Sequence, residues 1–339
     1  MAKLMKWAMK PFRRVPCPPM RFPTSGFNIV PSSEIFEEER FEHIGNGRYY
    51  PANIGDVLNA NSWQPGHAHI RKALDIFTIP RSGGDHPYLL HRNPTHRFSE
   101  DLFKAGLLQI LQALDYLHTE CKLVHTDIKS DNILQDIEDK SILKSFAQAE
   151  LTNPSPRKFV NGLPVYASRR FDLPKVFGRA VLSDFGSAVR EDEKRNHDAQ
   201  PNVYRSPEVM LKTDWSYLVD IWNVGAMVWD LFEGRHMFCG DDPNGKGYSM
   251  RAHLAEVMGL RGPPPLDMLR RGKRSHEFFT EDDIVIPTGV SLEQSEQFLE
   301  GRNKEMFLVR MRGMLQWRPE IRKTAKEILQ GPWLDDQAE

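Results

Sequence analysis

Cysteine is scarce in this chain. Cys17, Cys121 and Cys239 are the three in 339 residues, an odd number, widely spaced and without a CxxC pair. That usage argues against a disulfide scaffold and a cysteine-built zinc site, and it fits a reduced, intracellular chain of the cytoplasm or nucleus. His67 and His69, or His91 and His96, stand at spacings a metal could use. No Cys/His pair completes a tetrahedral set, so they read as solvated loop histidines. No apolar run approaches the roughly 18 residues of a membrane span, and no membrane partner is expected. Net charge is almost missing too: 45 Lys and Arg against 46 Asp and Glu leave -1 at pH 7. A chain so balanced has no global pull toward nucleic acid, and no direct nucleic-acid partner is expected.

Two further absences are local. Residues 1–33 contain no Asp or Glu but carry Lys3, Lys6, Lys10, Arg13, Arg14 and Arg21, with prolines at 16, 18 and 19. Such a leader is compatible with mitochondrial targeting, although it lacks the serine content of transit peptides; a disordered basic arm is the simpler reading. Lysine is missing altogether between Lys10 and Lys72.

What is present is core and helix. Hydrophobic residues make up 40% of the chain, enough for a bilobal body or one large domain. Residues 34–90 are short on periodicity and rich in turn formers. Beyond them Phe103, Leu107, Ile110, Leu111, Leu114 and Leu117 predict an amphipathic helix ending near His118. From Val219 to Phe232 apolar residues fall on nearly every face, which predicts a helix buried on all sides. Thr324 and Glu327 form a capping-box pattern before Ile328 and Leu329, with Gly331-Pro332 as the stop.

The chemistry lies between those helices. Val124-His125-Thr126-Asp127-Ile128-Lys129-Ser130-Asp131-Asn132-Ile133-Leu134 is an H-x-D-x-K-x-x-N loop flanked by apolar residues. Phosphoryl transfer needs a carboxylate to orient and deprotonate the attacking hydroxyl, a cation on the transferring oxygens and an oxygen ligand for Mg²⁺. Asp127, Lys129 and Asn132 supply one of each. A polar surface turn would look similar, but this loop has company. Val181-Leu182-Ser183-Asp184-Phe185-Gly186 is an apolar run ending in a carboxylate and a permissive glycine, and Asp184 is a second candidate Mg²⁺ ligand. Tyr204-Arg205-Ser206-Pro207-Glu208 follows, then Asp220-x-Trp222-x-x-Gly225, then Trp317-x-Pro319-x-x-Arg322, which offers Glu208 a buried ion-pair partner.

Five motifs in this order resemble the eukaryotic protein kinases over about residues 91–334. Within that family the chain is similar to SR-protein kinases and their fungal-type relatives. The similarity rests on the His125-to-Lys129 loop, Leu114-Asp115-Tyr116-Leu117-His118-Thr119-Glu120, the continuation Asp184-Phe185-Gly186-Ser187-Ala188, and His253-Leu254-Ala255-Glu256 leading to Gly262-Pro263-Pro264-Pro265. The resemblance implies an α+β protein kinase-like fold with a complete, mainly helical carboxy-terminal lobe at residues 91–335. It also implies ATP and Mg²⁺ as cofactors, and phosphorylation of serine or threonine in protein substrates, Arg/Ser-rich ones among them. Asp127 and Lys129 would be catalytic and Asn132 and Asp184 would bind metal. His125, Phe185, Gly186, Pro207, Glu208, Asp220 and Arg322 would shape the activation segment. Most kinases switched by loop phosphorylation have an Arg where Thr126 stands, so Ser187 and Ser206 are expected to need no phosphate for the loop to order. The long stretch between Asn132 and Asp184 resembles an insertion of the same relatives, and its charged residues are expected to be a solvated surface, with a docking role as the alternative.

The departure is at the amino-terminal side. A Gly-rich loop over the phosphates, a strand lysine and its helix glutamate are not found. Gly45-Asn46-Gly47 lacks the third glycine and the strand that should follow, and Lys72 lies in Arg71-Lys72-Ala73-Leu74 with no V-A-x-K around it. Residues 34–90 therefore read as the remnant of a truncated amino-terminal lobe. A catalytically impaired pseudokinase or scaffold, or a truncated isoform acting by protein binding, is the rival expectation. Small-molecule phosphotransferases share the H-x-D loop but are not expected to carry the Ser206-Pro207-Glu208, Asp220 and Arg322 set.

Overall fold

The structure is a computed structural model that describes residues 23, 25–34, 66, 69–70, 100–136, 138–139, 141–160, 163–167, 169, 178–191, 194–279 and 291–335. The readings at residues 45–47, 54–58, 72 and 89–91, and most of the leader, lie outside the described residues. In chain order the elements begin with α1 (Glu100–Tyr116), β1 (Leu123–Val124), β2 (Ile133–Gln135), α2 (Ser141–Thr152), β3 (Arg157–Val160), β4 (Leu163–Tyr166), β5 (Ala180–Leu182) and β6 (Val189–Arg190). Then come α3 (Pro207–Met210), α4 (Leu218–Glu233), α5 (Met250–Arg261), α6 (Leu266–Arg271), α7 (Ser275–Phe278), α8 (Leu292–Ser295), α9 (Gly301–Met314), α10 (Ala325–Leu329) and α11 (Pro332–Asp335). Residues 1–44 with 139–175 form one compact unit, and residues 45–138 with 176–339 form the other.

The larger unit is built on two helices. In α1 the predicted apolar positions Phe103, Leu107, Ile110, Leu111 and Leu114 are all buried. The regular helix stops at Tyr116, slightly before the expected end. The chain then widens into one π-type turn, Leu117–Cys121, in which Lys122 N–H closes back on Leu117 O with Lys122 at φ 53°. That left-handed residue turns the chain out of the helix and into β1. Helix α4 is buried on nearly every face, as its predominantly apolar pattern predicts, with Gly234 as a left-handed cap at φ 73°. A Cβ on Gly225 would stand 2.9 Å from the Leu315 side chain, so the missing side chain lets α4 approach the end of α9. Helix α1 packs on α4, α10 and α11, and α9 packs on α4 and α11. Trp222 stacks on Phe238 at 5.7 Å, and Trp333 contacts the rings of Phe103 and Phe307. The Thr324–Glu327 capping box forms at α10. Gly331-Pro332 does follow its end, but Pro332 also opens the short α11, where its fixed φ suits a first helical position. Among the described residues no helix is long and apolar enough to cross a membrane.

The smaller unit contains α2 and the β3–β4 hairpin, paired from Arg157↔Tyr166 to Val160↔Leu163. Here the expectation of solvated charges fails. Arg157 and Lys158 are buried, Arg157 with its guanidinium over the Phe27 ring and Lys158 with its Nζ donating to Glu34 O at 2.7 Å. The leader was read as a free arm, yet its last residues lie along β3: Arg157 N–H donates to Asn28 O and Val30 N–H to Arg157 O, both at 3.0 Å. Rings over the Arg157 guanidinium and a carbonyl for the Lys158 ammonium offset the cost of burying these cations.

Candidate active site

Two short ladders bring two loops together. β1 pairs antiparallel with β6, and β2 with β5, so the loop at residues 125–132 and the loop at residues 183–188 are anchored at both ends by the same strands. Ser183 joins them directly, its N–H and Oγ–H donating to Asn132 O at 2.9 and 3.0 Å.

Underneath lies the carboxylate of Asp220, in the first turn of α4 and fully buried. Its Oδ2 accepts from His125 N–H at 2.8 Å and from His118 Nε2 at 2.9 Å, and its Oδ1 accepts Thr126 N–H at 2.7 Å. A buried carboxylate needs such a full set of donors. These bonds hold Thr126 at φ 67°, a left-handed conformation costly for a residue with a branched Cβ. Thr126 Oγ–H then donates to Ser187 O at 2.9 Å and ties the loop to the segment after Gly186. His125 is buried beside it. Its Nδ1 accepts Asp127 N–H at 3.3 Å, which leaves the proton on Nε2 to donate to Ser183 O at 3.0 Å. Burial pushes this imidazole below its ordinary range and keeps it neutral. Phe185 meets its ring edge-on at 4.9 Å.

Asp127 is bonded by two neighbours of its own loop. Lys129 Nζ donates to both Asp127 carboxylate oxygens at 3.0 and 3.1 Å. Asn132 Nδ2 donates to Asp127 O at 2.7 Å and to its Oδ2 at 2.9 Å, which directs the amide oxygen away from Asp127. Asp184 is exposed, at φ 62°, with Oδ1 accepting Gly186 N–H at 3.2 Å. A carboxylate and an amide oxygen are hard donors of the class Mg²⁺ takes, so the residues present suit that ion.

The family model described as "Protein kinase domain" matches residues 78–169 and 175–334. The chain belongs to the protein kinase family. A serine/threonine protein kinase of Aspergillus fumigatus is 35% identical over 395 residues, covering 95% of this chain and 97% of that protein. That aligned stretch is longer than the 339 residues of this kinase, so the fungal relative carries segments with no counterpart here. The serine/threonine-protein kinase SRPK of Physarum polycephalum is 28% identical over 262 residues, 69% of this chain and 61% of that one. The rat dual specificity tyrosine-phosphorylation-regulated kinase 3 is 26% identical over 294 residues, 80% of this chain and 42% of the relative. The fold is that of a protein kinase: α+β, with a mostly helical carboxy-terminal lobe.

In this kinase the described residues beyond Gly186 are joined to the rest of the larger unit by several buried side-chain contacts. Pro207 opens α3, and Glu208 in its first turn meets Arg322 with Nη1–Oε1 at 2.7 Å and Nη2–Oε2 at 3.0 Å, both side chains without exposure. The sequence pattern pointed to this pair. It did not point to Gln200, which sits at φ 65° and joins three pieces of the segment. Gln200 Nε2 donates to Val219 O, while its Oε1 accepts both N–H and Oγ–H of Ser206, each at 2.9 Å. Asn223, within the apolar run of α4, donates from Nδ2 to Tyr204 O at 2.7 Å. The Tyr204 hydroxyl donates to Asp230 Oδ2 at 2.6 Å, and burial, then that carboxylate, pushes its phenol up. A polar residue on an otherwise apolar helix was the one signal that could have found Asn223; Gln200 had none.

Proposed function

We propose that this protein kinase transfers the γ-phosphate of ATP to serine or threonine hydroxyls of protein substrates. The observation that carries this reading is Asp127 held between Lys129 and Asn132, on a loop bonded at Asn132 O to the strand end before Asp184. Asp127 orients the attacking hydroxyl and takes its proton. Lys129 donates to an oxygen of the transferring group and compensates its developing charge. Asn132 and Asp184 would hold Mg²⁺, which would supply neutralisation of the phosphate charge. Similarity to SRPK supports Arg/Ser-rich proteins as the substrate class. The partners are then proteins, in the cytoplasm or nucleus. We read residues 1–33 as a basic leader, 34–90 as the remnant of a truncated amino-terminal lobe and 91–335 as the carboxy-terminal lobe.

A second reading is favoured by one observation, the length of the fungal relative's alignment beyond this chain, together with the absence of a recognisable Gly-rich loop and strand lysine from the sequence. On that reading the chain acts by protein binding. Calorimetry of ATP with and without Mg²⁺, on the chain and on Asp184→Ala, separates the two. Mg²⁺-dependent binding lost in the variant supports catalysis; transfer to an Arg/Ser-rich peptide should then fall by about 10²–10³ in Asp127→Ala. No binding at millimolar ATP leaves the scaffold reading.

A further inference from the structure

Arg157 is an anomaly. It opens β3 with 8% of its surface exposed, and its Nε makes no hydrogen bond. No carboxylate among the described residues pairs with it. Its guanidinium instead lies between two rings, 3.6 Å from the centroid of Phe27 and 4.6 Å from that of Tyr166. Tyr166 comes from the partner strand of the hairpin, whereas Phe27 comes from a segment well over a hundred residues earlier. The backbone of that earlier segment completes the arrangement. Ile29 pairs parallel with Arg157, through Arg157 N–H to Asn28 O and Val30 N–H to Arg157 O. Both ladder groups of Arg157 therefore face the leader, because Tyr166 opposite is paired with it across β3–β4. Lys158 closes the far end through Nζ to Glu34 O.

We propose that the outer edge of β3 is a strand-docking site for an extended segment with an aromatic residue at the position of Phe27, and that this chain fills it with its own Phe27-Asn28-Ile29-Val30. Main-chain bonds supply the pairing, as in any strand addition to an open edge. Specificity resides in Arg157. With no carboxylate beside it among the described residues, this desolvated guanidinium is stabilised by ring faces on both sides, and an aromatic at the Phe27 position provides the second one. Parallel pairing puts Ile29 and Arg157 on the same sheet face, and Ile29 stays 71% exposed, so the aliphatic position contributes extension and not burial. The insertion's sheet is thus assembled from two distant stretches of chain, and the open edge of a marginal two-stranded hairpin is covered.

Hydrogen exchange at the Arg157 amide tests this in the full chain, since that N–H bonds to Asn28 O. Phe27→Ala should raise its exchange rate roughly thirtyfold, the value of one desolvated cation–π contact, and Phe27→Tyr should restore protection. Val30→Pro, which removes the donor to Arg157 O, should expose the amide as well, while Ile29→Ser should leave it protected. A free peptide of residues 23–34, added at millimolar concentration to the Phe27→Ala/Val30→Pro double variant, should return protection to Arg157. An Arg157 amide equally protected in wild type and in that double variant would overturn the proposal. So would a peptide that restores nothing while the double variant keeps its helical circular dichroism.

Discussion

At the scale of single residues, the buried pair of Glu208 and Arg322 carries a sharp expectation. Both terminal nitrogens of the guanidinium are bonded twice: beyond the two bonds to Glu208, Nη1 donates to Leu218 O at 2.7 Å and Nη2 to Gln316 O at 2.8 Å, and the group lies 5.2 Å from the centre of the Trp222 ring. Removing one partner leaves the other charged and buried, so Glu208→Ala or Arg322→Ala should each lose about 3–5 kcal/mol in urea denaturation. The double replacement Glu208→Leu/Arg322→Met should cost less than the sum of the two, because no orphaned charge remains. Gln200→Ala acts through a different term. It strips the acceptor from the buried N–H and Oγ–H of Ser206, a loss of about 1–3 kcal/mol, and should open residues 194–206 to limited proteolysis. Ser206 itself is fully buried, so phosphatase treatment should leave the order of this segment unchanged by the same assay. The charged motif residues were legible because phosphoryl-transfer chemistry demands their types at fixed order. Gln200 and His118 were not, since a bridging amide or a second donor to Asp220 has no spacing rule of its own.

At the scale of elements, glycine and caps decide where pieces meet. A Cβ on Gly66 would fall 1.8 Å from Gln112 O in α1, a position no side-chain shift relieves because the obstacle is backbone. Gly66→Ala should therefore release the short segment that follows it, where His69 Nδ1 bonds Ala180 O at 3.3 Å and Ile70 pairs with Leu182. The expected readout is a lower unfolding midpoint and faster exchange in β5, the strand that leads to Asp184. Thr324→Ala removes the cap of α10 and should cost about 1 kcal/mol. The long helices α1 and α4 were readable because periodicity and all-round apolarity are properties of consecutive residues. The end of α1 was not, because the π-type turn depends on Lys122 adopting a left-handed conformation. The burial of Arg157 and Lys158 is not legible in the sequence for a similar reason: the Phe27 ring and the Glu34 carbonyl that meet them lie far away in the chain.

At the scale of the whole molecule, two neutral buried histidines make stability depend on pH. Burial lowers His125, and burial followed by the Arg205 charge lowers His253 to about 3. In the unfolded chain both titrate at the ordinary histidine value of about 6.5. Below that value the unfolded state binds more protons than the folded one. Stability is therefore full above pH 6.5 and is lost as pH falls toward the folded values, with a slope of up to about 1.4 kcal/mol per pH unit for each histidine. Urea midpoints at pH 7.5, 6 and 5 should fall in that order, and His253→Gln should flatten the trend. Midpoints independent of pH across this range would contradict it. By itself the sequence determined the kinase family, the long helices α1 and α4 and the Glu208–Arg322 partnership, because each depends on residue type, order or local period. Only the tertiary structure decided what surrounds them: Asp220 gathering three donors beneath the loop, Gln200 joining the activation segment, and the leader laid along β3. Those contacts join residues far apart in the chain, and packing, not local pattern, selects them.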